Sequence, residues 1–412
     1  MGPGGCRRGF RPDHPGPDER GPVPTDRLSF WRPEPGRPPT CESPSSVRIL
    51  YGVVGEGMGH ATRSRVVLEH LVKDHEVQVV ASGRAHAYLA ERFPEVHRIW
   101  GFTIHYEGNA IRRIPTVLRN LRGAVGGWPK NVGEYFKLIA RFRPEVVISD
   151  FESFSYYFGK AHRVPVIDLD NIHIVSRCRH SPELLRGHQR DFGLIRSVVA
   201  AKLPHCFHYL IPTFFHPPVT GKRTTLVPPI LRPEALEARS ERGDHLLVYQ
   251  TSTTNLALPE VLKRLGVPSR VYGLRRDLAG DVVDGSVTYR PFSESRFIDD
   301  LRTARAVVAG GGFTLLSEAV YLHKPVLSVP VERQFEQVLN ALYLQQLGYG
   351  AYARGLTEEA LRAFLQRLPE HERALAGYSQ DGNRIALLAV DEQLGRAAET
   401  RRGRRRGRSA GA

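Results

Sequence analysis

One unit occurs twice in the sequence and constrains the fold more than any other feature: an apolar strand, a glycine-rich loop and a helix. In the first half, Val47-Arg-Ile-Leu-Tyr-Gly-Val-Val54 is a short β-branched run. Gly55-Glu-Gly-Met-Gly-His60 follows it, and Ala61 to Lys73 then carries Val66, Val67, Leu68 and Leu71 at helical spacing. In the second half, Ala306 to Ala309, Gly310-Gly311-Gly312 and Phe313 to Leu322 repeat the order. A glycine turn between a buried strand and a helix is the signature of parallel β-α-β architecture, where the helix N-terminus presents free N–H groups to an anion or polar ligand.

The alternation continues around both units. Val77 to Ala81, Glu145 to Ser149 and Val164 to Asp168 read as strands, with helices over Arg84 to Phe93 and Ser153 to His162. After Asp244, strands are expected at Leu246 to Gln250, Ser269 to Tyr272 and Val326 to Val329. Helices are expected at Pro259 to Leu265, Ser295 to Ala304 and Glu332 to Leu347. Continuous apolar strands of this kind indicate a parallel sheet covered on both faces. The fold class is therefore α/β, with two doubly wound, Rossmann-like domains facing each other across a cleft. The first spans 47–211 and the second 244–394, with the proline-rich segment 212–243 as linker.

The ends of the chain differ in composition. Residues 1–46 hold 11 Pro and 7 Gly with few apolar anchors, too little to offset the entropy of ordering them. They read as a disordered tail, and the same composition fits a translation start set upstream of the folded protein. Residues 395–412, with seven Arg and one Glu, read as a basic disordered tail. They carry +6 of the formal +15, and 1–46 carry +1, which leaves +8 for the body. That suits an anionic small molecule or an acidic membrane surface. The C-terminal arginines lack interleaved aromatics, so no specific nucleic acid is expected. No apolar run approaches the roughly 20 residues of a spanning helix, and none follows Arg7 and Arg8 as a secretory signal would require. Residence is expected in the cytoplasm. Cys6, Cys41, Cys178 and Cys206 are too widely spaced for a zinc site.

Gly55, Gly57 and Gly59 do not meet the dinucleotide fingerprint, because His60 stands where its last glycine belongs. An imidazole at the start of a helix suits general-base work near neutral pH. The Gly310 loop suits a diphosphate, and Glu318, within the following helix, could accept from two ribose hydroxyls. Glu336, Gln337 and Asn340 share the start of a later helix and could grip sugar hydroxyls.

Val287-Thr-Tyr-Arg-Pro-Phe-Ser-Glu-Ser-Arg-Phe-Ile-Asp-Asp-Leu, the Gly310 loop through Glu318, His323-Lys-Pro-Val-Leu-Ser-Val-Pro and Glu336-Gln337-x-x-Asn340-Ala together resemble the donor half of GT-B glycosyltransferases of the MurG and UDP-glycosyltransferase type. The resemblance implies that Gly310, Gly311, Gly312, Phe313 and Thr314 hold the diphosphate. Glu318 would take the ribose, backbone near Phe292 and Ser293 the base, and Glu336 and Gln337 the transferred sugar. Thr251 and Ser252 would line the phosphates. His60 matches the proposed base of such enzymes, and Asp150 in Ile148-Ser-Asp-Phe resembles the aspartate that orients it. The implied reaction moves a sugar, carried by UDP in the expected case, to a hydroxyl acceptor with inversion. The nucleotide sugar is a co-substrate, and no cofactor is implied.

The second glycine-rich acceptor loop of the MurG type is replaced by Asp150-Phe-Glu-Ser-Phe154, so the acceptor, small or lipid-linked, is not specified. Asp168-Leu-Asp170 has the letters of a metal-binding Asp-x-Asp but lies in the acceptor half, and no metal is expected. Ile111 to Arg122 sets apolar residues on one face with arginines around them, which fits first an active-site wall helix packing its apolar side inward and second a surface for peripheral membrane contact. The alternatives are a sugar-nucleotide 2-epimerase of the same architecture and a nucleic-acid-binding protein acting through the basic tail.

Overall fold

The computed structural model describes residues 46–55, 57–99, 106–107, 110–111, 133, 141–250, 258–275, 277–331 and 334–409. The first sheet contains β1 (Arg48–Val53), β2 (Glu76–Ala81), β3 (Val96–Arg98), β6 (Val146–Asp150), β7 (Val166–Leu169), β8 (His208–Pro212) and β9 (Thr224–Val227); β4 (Tyr106–Glu107) and β5 (Ala110–Ile111) form a separate hairpin. Its order is β3-β2-β1-β6-β7-β8-β9, with all neighbours parallel. The second sheet holds β10 (Leu246–Tyr249), β11 (Ser269–Tyr272), β12 (Val282–Asp284), β13 (Val287–Arg290), β14 (Ala306–Ala309), β15 (Val326–Ser328) and β16 (Gly350–Tyr352). It runs β12-β13-β11-β10-β14-β15-β16, parallel except where β12 meets β13. These are the two doubly wound sheets expected. Strand order reverses between β1 and β6 in one and between β10 and β14 in the other, and at such switch points the strand C-termini open a crevice.

The strands are buried as the apolar runs imply. Every residue of β6, β7 and β14 is buried. Helix Met58–Leu71 covers β1 and β2 with Val67, Leu68 and Leu71.

Two domain boundaries differ from expectation. The segment 212–243 is not simply a linker, since Thr224–Val227 forms the edge strand β9 against β8. Its prolines interrupt β structure on either side of a real strand, and four residues were too short a run to stand out. The chain also does not leave the second domain at 394 for a disordered tail. A helix runs unbroken from Arg384 to Ser409 and crosses back over β6 to β9 of the first sheet. Ala386, Ala389, Val390, Leu394, Ala397 and Ala398 are its buried stripe, packed in the first domain's core. The arginine run beyond that stripe concealed the continuation, because small alanines carry a weak apolar signal although they let a helix approach a sheet closely.

Most of the segment Ile111 to Arg122, read as a cleft-wall helix or a membrane-contact surface, lies outside the described residues; Ile111 itself pairs with Tyr106. No helix among the described residues is long and apolar enough to cross a membrane.

The C-terminal helix yields a stability prediction. Leu394→Ala should cost about 2 to 5 kcal/mol in urea unfolding because it empties a core site, whereas Arg404→Ala, on the exposed side, should stay within about 0.5 kcal/mol. Equal midpoints for the two variants would remove the helix from the core.

Candidate active site

The loop after β1 has three glycines, each with a different reason to be there. A Cβ at Gly55 would lie 2.5 Å from the Ser82 carbonyl oxygen, and Gly57 adopts φ +79° at the helix start. A Cβ at Gly59 would lie 2.6 Å from Thr314 Oγ1, on the second domain. The first turn of helix Met58–Leu71 thus meets the first turn of helix Phe313–Tyr321 across the cleft, and the glycine permits that approach.

This turn carries His60 to the end of β6. Its Nδ1 lies 2.8 Å from Asp150 Oδ1. Asp150 is fully buried, and His60 keeps about a quarter of its side chain exposed. Ser64 Oγ donates to the other oxygen, Oδ2, at 2.8 Å. With Nδ1–H given to the carboxylate, Nε2 is the nitrogen left to exchange a proton in the cleft. The dyad expected from the sequence is therefore assembled.

Two further residues complete it. Arg63, one turn beyond His60, donates from Nη2 to Asp150 Oδ1 and, at 2.9 Å, to Asp170 Oδ1. Asp170 also stands 3.9 Å from His60 Nδ1. Neither was given a role from the sequence. The i, i+3 spacing from His60 to Arg63 was a usable signal, and Asp168-Leu-Asp170 was noticed but assigned no part. The ligand atoms of His60, Asp150 and Asp170 lie within 4.8 Å of one another, close enough for a cation. Arg63 already donates to both carboxylates, setting one positive charge between two negative ones.

The electrostatics follow from these contacts. Burial disfavours protonated His60, but the charge and hydrogen bond of Asp150, with Asp170 behind, outweigh it and raise the imidazole above the ordinary 6.5. Burial acts against the Asp150 carboxylate, yet Arg63 and His60 hold it below its usual range. Glu336 opens helix Phe335–Gln346. Burial and the negative charges of Asp170 and Asp150 push it up to about 7, against the opposing pull of His60 and Arg63. A carboxyl from the second domain thus shares the field of the dyad in the first.

The glycine loop after β14 is tightly braced. A Cβ at Gly311 would fall 2.1 Å from the Gln337 carbonyl oxygen, whereas one at Gly312 would meet nothing within 4 Å. Gln337 Oε1 accepts from Gly311 N–H at 3.2 Å and Val331 N–H at 3.1 Å, and Asn340 Nδ2 donates to the Gly311 carbonyl at 3.1 Å. Gln337 and Asn340, expected to grip sugar hydroxyls, have their amides on the loop backbone. Glu318 differs as well. Both its oxygens are taken by Arg232, Nε to Oε1 at 2.6 Å and Nη2 to Oε2 at 2.9 Å, and Glu318 is fully buried. A bidentate buried pair occupies the carboxylate that was expected to meet ribose hydroxyls.

Of the other expected donor residues, Phe292 is largely exposed, and Ser293 stands at the start of helix Glu294–Arg302 without capping it. Phe313 is buried and stacks on Phe214, ring centroids 5.9 Å apart. Thr251 and Ser252 lie outside the described residues. Two other groups near the dyad have different roles. Glu152 caps helix Ser153–Ala161 by accepting from the backbone N–H of Phe154 and Ser155, both at 2.7 Å. Burial, with Arg177 and Lys202, presses the enclosed His173 down to about 3.

Comparison with known proteins places this geometry in context. A family model described as glycosyl transferase family 1 matches residues 47–369. A protein of Methanosarcina acetivorans described as an uncharacterized glycosyltransferase is 26% identical over 390 residues, covering 83% of this chain and 92% of the relative. Among solved structures, the glycosyltransferase of kitacinnamycin aligns with a TM-score of 0.62 at 19% identity, over 85% of this chain and 99% of that one. Phytolacca americana UGT2, solved with UDP-2-fluoro-glucose and pterostilbene, aligns at 0.57 and 13%, over 84% and 98%. The shared fold is GT-B.

The two neighbouring glycines make opposite predictions. Gly311→Ala should lower thermal stability by about 1 to 3 kcal/mol, because its methyl meets backbone that cannot swing aside. Gly312→Ala should melt close to wild type. Differential scanning calorimetry of the two checks the brace.

Proposed function

The chain belongs to glycosyl transferase family 1, and from that premise we propose that it moves a sugar from a nucleoside diphosphate, UDP, to an acceptor hydroxyl, inverting the anomeric centre without a divalent metal. The observation that carries this reading is the His60–Asp150 dyad on one wall of the cleft, set against the Gly310–Thr314 helix start on the other. A base on one side and an anion-binding helix terminus on the other is the arrangement that in-line displacement requires.

In this reaction the acceptor oxygen attacks the anomeric carbon while His60 Nε2 takes its proton. A sugar-type hydroxyl is too weakly acidic to ionise unaided near neutral pH, and general-base assistance supplies typically 10²- to 10⁴-fold. Asp150 steadies the imidazolium that forms. On the opposite face, the bond from the anomeric carbon to the diphosphate oxygen breaks. Its electron pair leaves with the diphosphate, whose charge is received by the amides at the start of helix Phe313–Tyr321. Arg63 occupies the acidic cluster, so the leaving group depends on this helix start. The choice of UDP draws support from the structural relative solved with UDP-2-fluoro-glucose. Glu336, at the first turn of the neighbouring helix, is the carboxyl offered to the transferred sugar.

His60→Ala should lower turnover about 100- to 10,000-fold while UDP affinity in calorimetry stays near wild type. Full turnover in a natively folded variant would place the base elsewhere.

The pH dependence has a definite sign. Only neutral His60 accepts the proton, and its pKa is raised above 6.5, so kcat/KM should fall on acidification with a midpoint above pH 6.5. Asp150→Asn removes the interaction that raises it, so the midpoint should move to lower pH as turnover drops. An unmoved acid limb would separate Asp150 from the base.

A further inference from the structure

Beneath the first domain, at the end of the sheet opposite the dyad, lies a cavity of about 540 Å³, within the range of small-molecule pockets. Its walls carry Lys160, Arg163, Arg223, Arg396 and Arg404, and no Asp or Glu lies among the described residues that line it. Arg163, Arg223 and Arg404 have no ion-pair partner among the described residues. Arg396 has a long contact of 3.5 Å with Glu392. His208, also in the wall, is held down to about 4 by burial and then by Arg396, Arg177 and Arg223, as expected where positive charge is not balanced.

A second observation is independent of charge. Six described non-glycine residues have positive φ, and three of them, Arg163 (52°), His205 (57°) and Arg223 (57°), line this one cavity. They precede β7, β8 and β9, which are neighbours in the sheet. Glycine takes this conformation without the steric cost that a Cβ brings, yet each turn carries a long basic or titratable side chain. Strained backbone at a binding surface is a recurring pairing. The C-terminal helix closes the cavity with Gln393, Arg396, Thr400 and Arg404. The transfer site is distinct: Asp170 follows the far end of β7, whose four residues span roughly 13 Å.

We infer that this cavity is a second anion site, separate from the transfer cleft, which binds a ligand carrying two or more phosphate charges. Guanidinium groups match phosphate oxygens in bidentate geometry, and several unpaired cations around one pocket favour a multiply charged group over a single carboxylate. A localised, half-open pocket of this size fits a phosphorylated small molecule or one lipid headgroup better than an extended polynucleotide track.

Full-length protein titrated calorimetrically with inorganic pyrophosphate tests the inference, comparing wild type with Arg163→Gly/Arg223→Gly. Glycine relieves both left-handed turns, so this variant should melt at or above the wild-type temperature while binding at least about tenfold more weakly. Arg396→Gln, remote from those turns, should also weaken binding and serves as the readout if the double variant melts early. Sedimentation with phosphatidic acid vesicles, against phosphatidylcholine alone, separates the sources. Retention that the double variant loses identifies a lipid headgroup, and pyrophosphate binding without retention identifies a soluble ligand. Wild type that binds neither, binding that both variants leave unchanged, or capture of polynucleotide alone would overturn the inference.

Discussion

The guanidinium of Arg63, shared between Asp150 and Asp170, is the contact on which the rest of the site depends. Two carboxylates at adjacent strand ends, buried and close together, would repel each other and take up protons. Asp168, a neighbour that meets the His173 ring at 3.3 Å rather than a guanidinium, has its pKa raised well above the ordinary value by burial and by the charges of Asp170 and Asp150. With Arg63 between them, Asp150 stays ionised and can orient His60. The arrangement is asymmetric in energy: removing one member of a buried pair strands the other, at about 3 to 5 kcal/mol. The His60–Asp150 contact therefore rests on an ion pair one helical turn behind it.

The site is divided between two bodies, so their relative placement is part of the chemistry. Several contacts hold it. Phe214 stacks on Phe313, and Phe215 lies on Tyr343 at 4.1 Å between ring centroids. Arg232 ties the stretch after β9 to Glu318 in the helix behind the glycine loop. The last helix leaves the second domain and packs on the first. Glu318 shows how one carboxylate can be diverted by this scaffold. Its position in the helix is the one that suggested ribose binding, but a buried arginine meets it first, and the pair fastens loop to linker instead.

Much of the fold was legible locally. Buried parallel strands are apolar throughout, and glycine between strand and helix marks where backbone must turn sharply or be approached closely. The expected strands and helices match the observed ones to within a few residues for that reason. His60 and Asp150 could be paired through the resemblance to GT-B enzymes, and in the structure each stands beside a strand end at the switch point. Elements that depend on distant partners were harder to see. β9 is four residues long among prolines, and its existence rests on β8. The helix Arg384–Ser409 reads as a solvated basic stretch until the first sheet is placed beneath its alanines.

The sequence by itself determined the two α/β bodies and the glycine turns, since these follow from local periodicity, and its resemblance to GT-B enzymes pointed to His60 and Asp150. Tertiary structure alone decided the partners of the polar side chains. Gln337 and Asn340 turned to the loop backbone, Glu318 to Arg232, and Asp170 to Arg63. A buried polar group takes the nearest partner that satisfies it, and which partner is nearest is a property of packing between segments far apart in the chain.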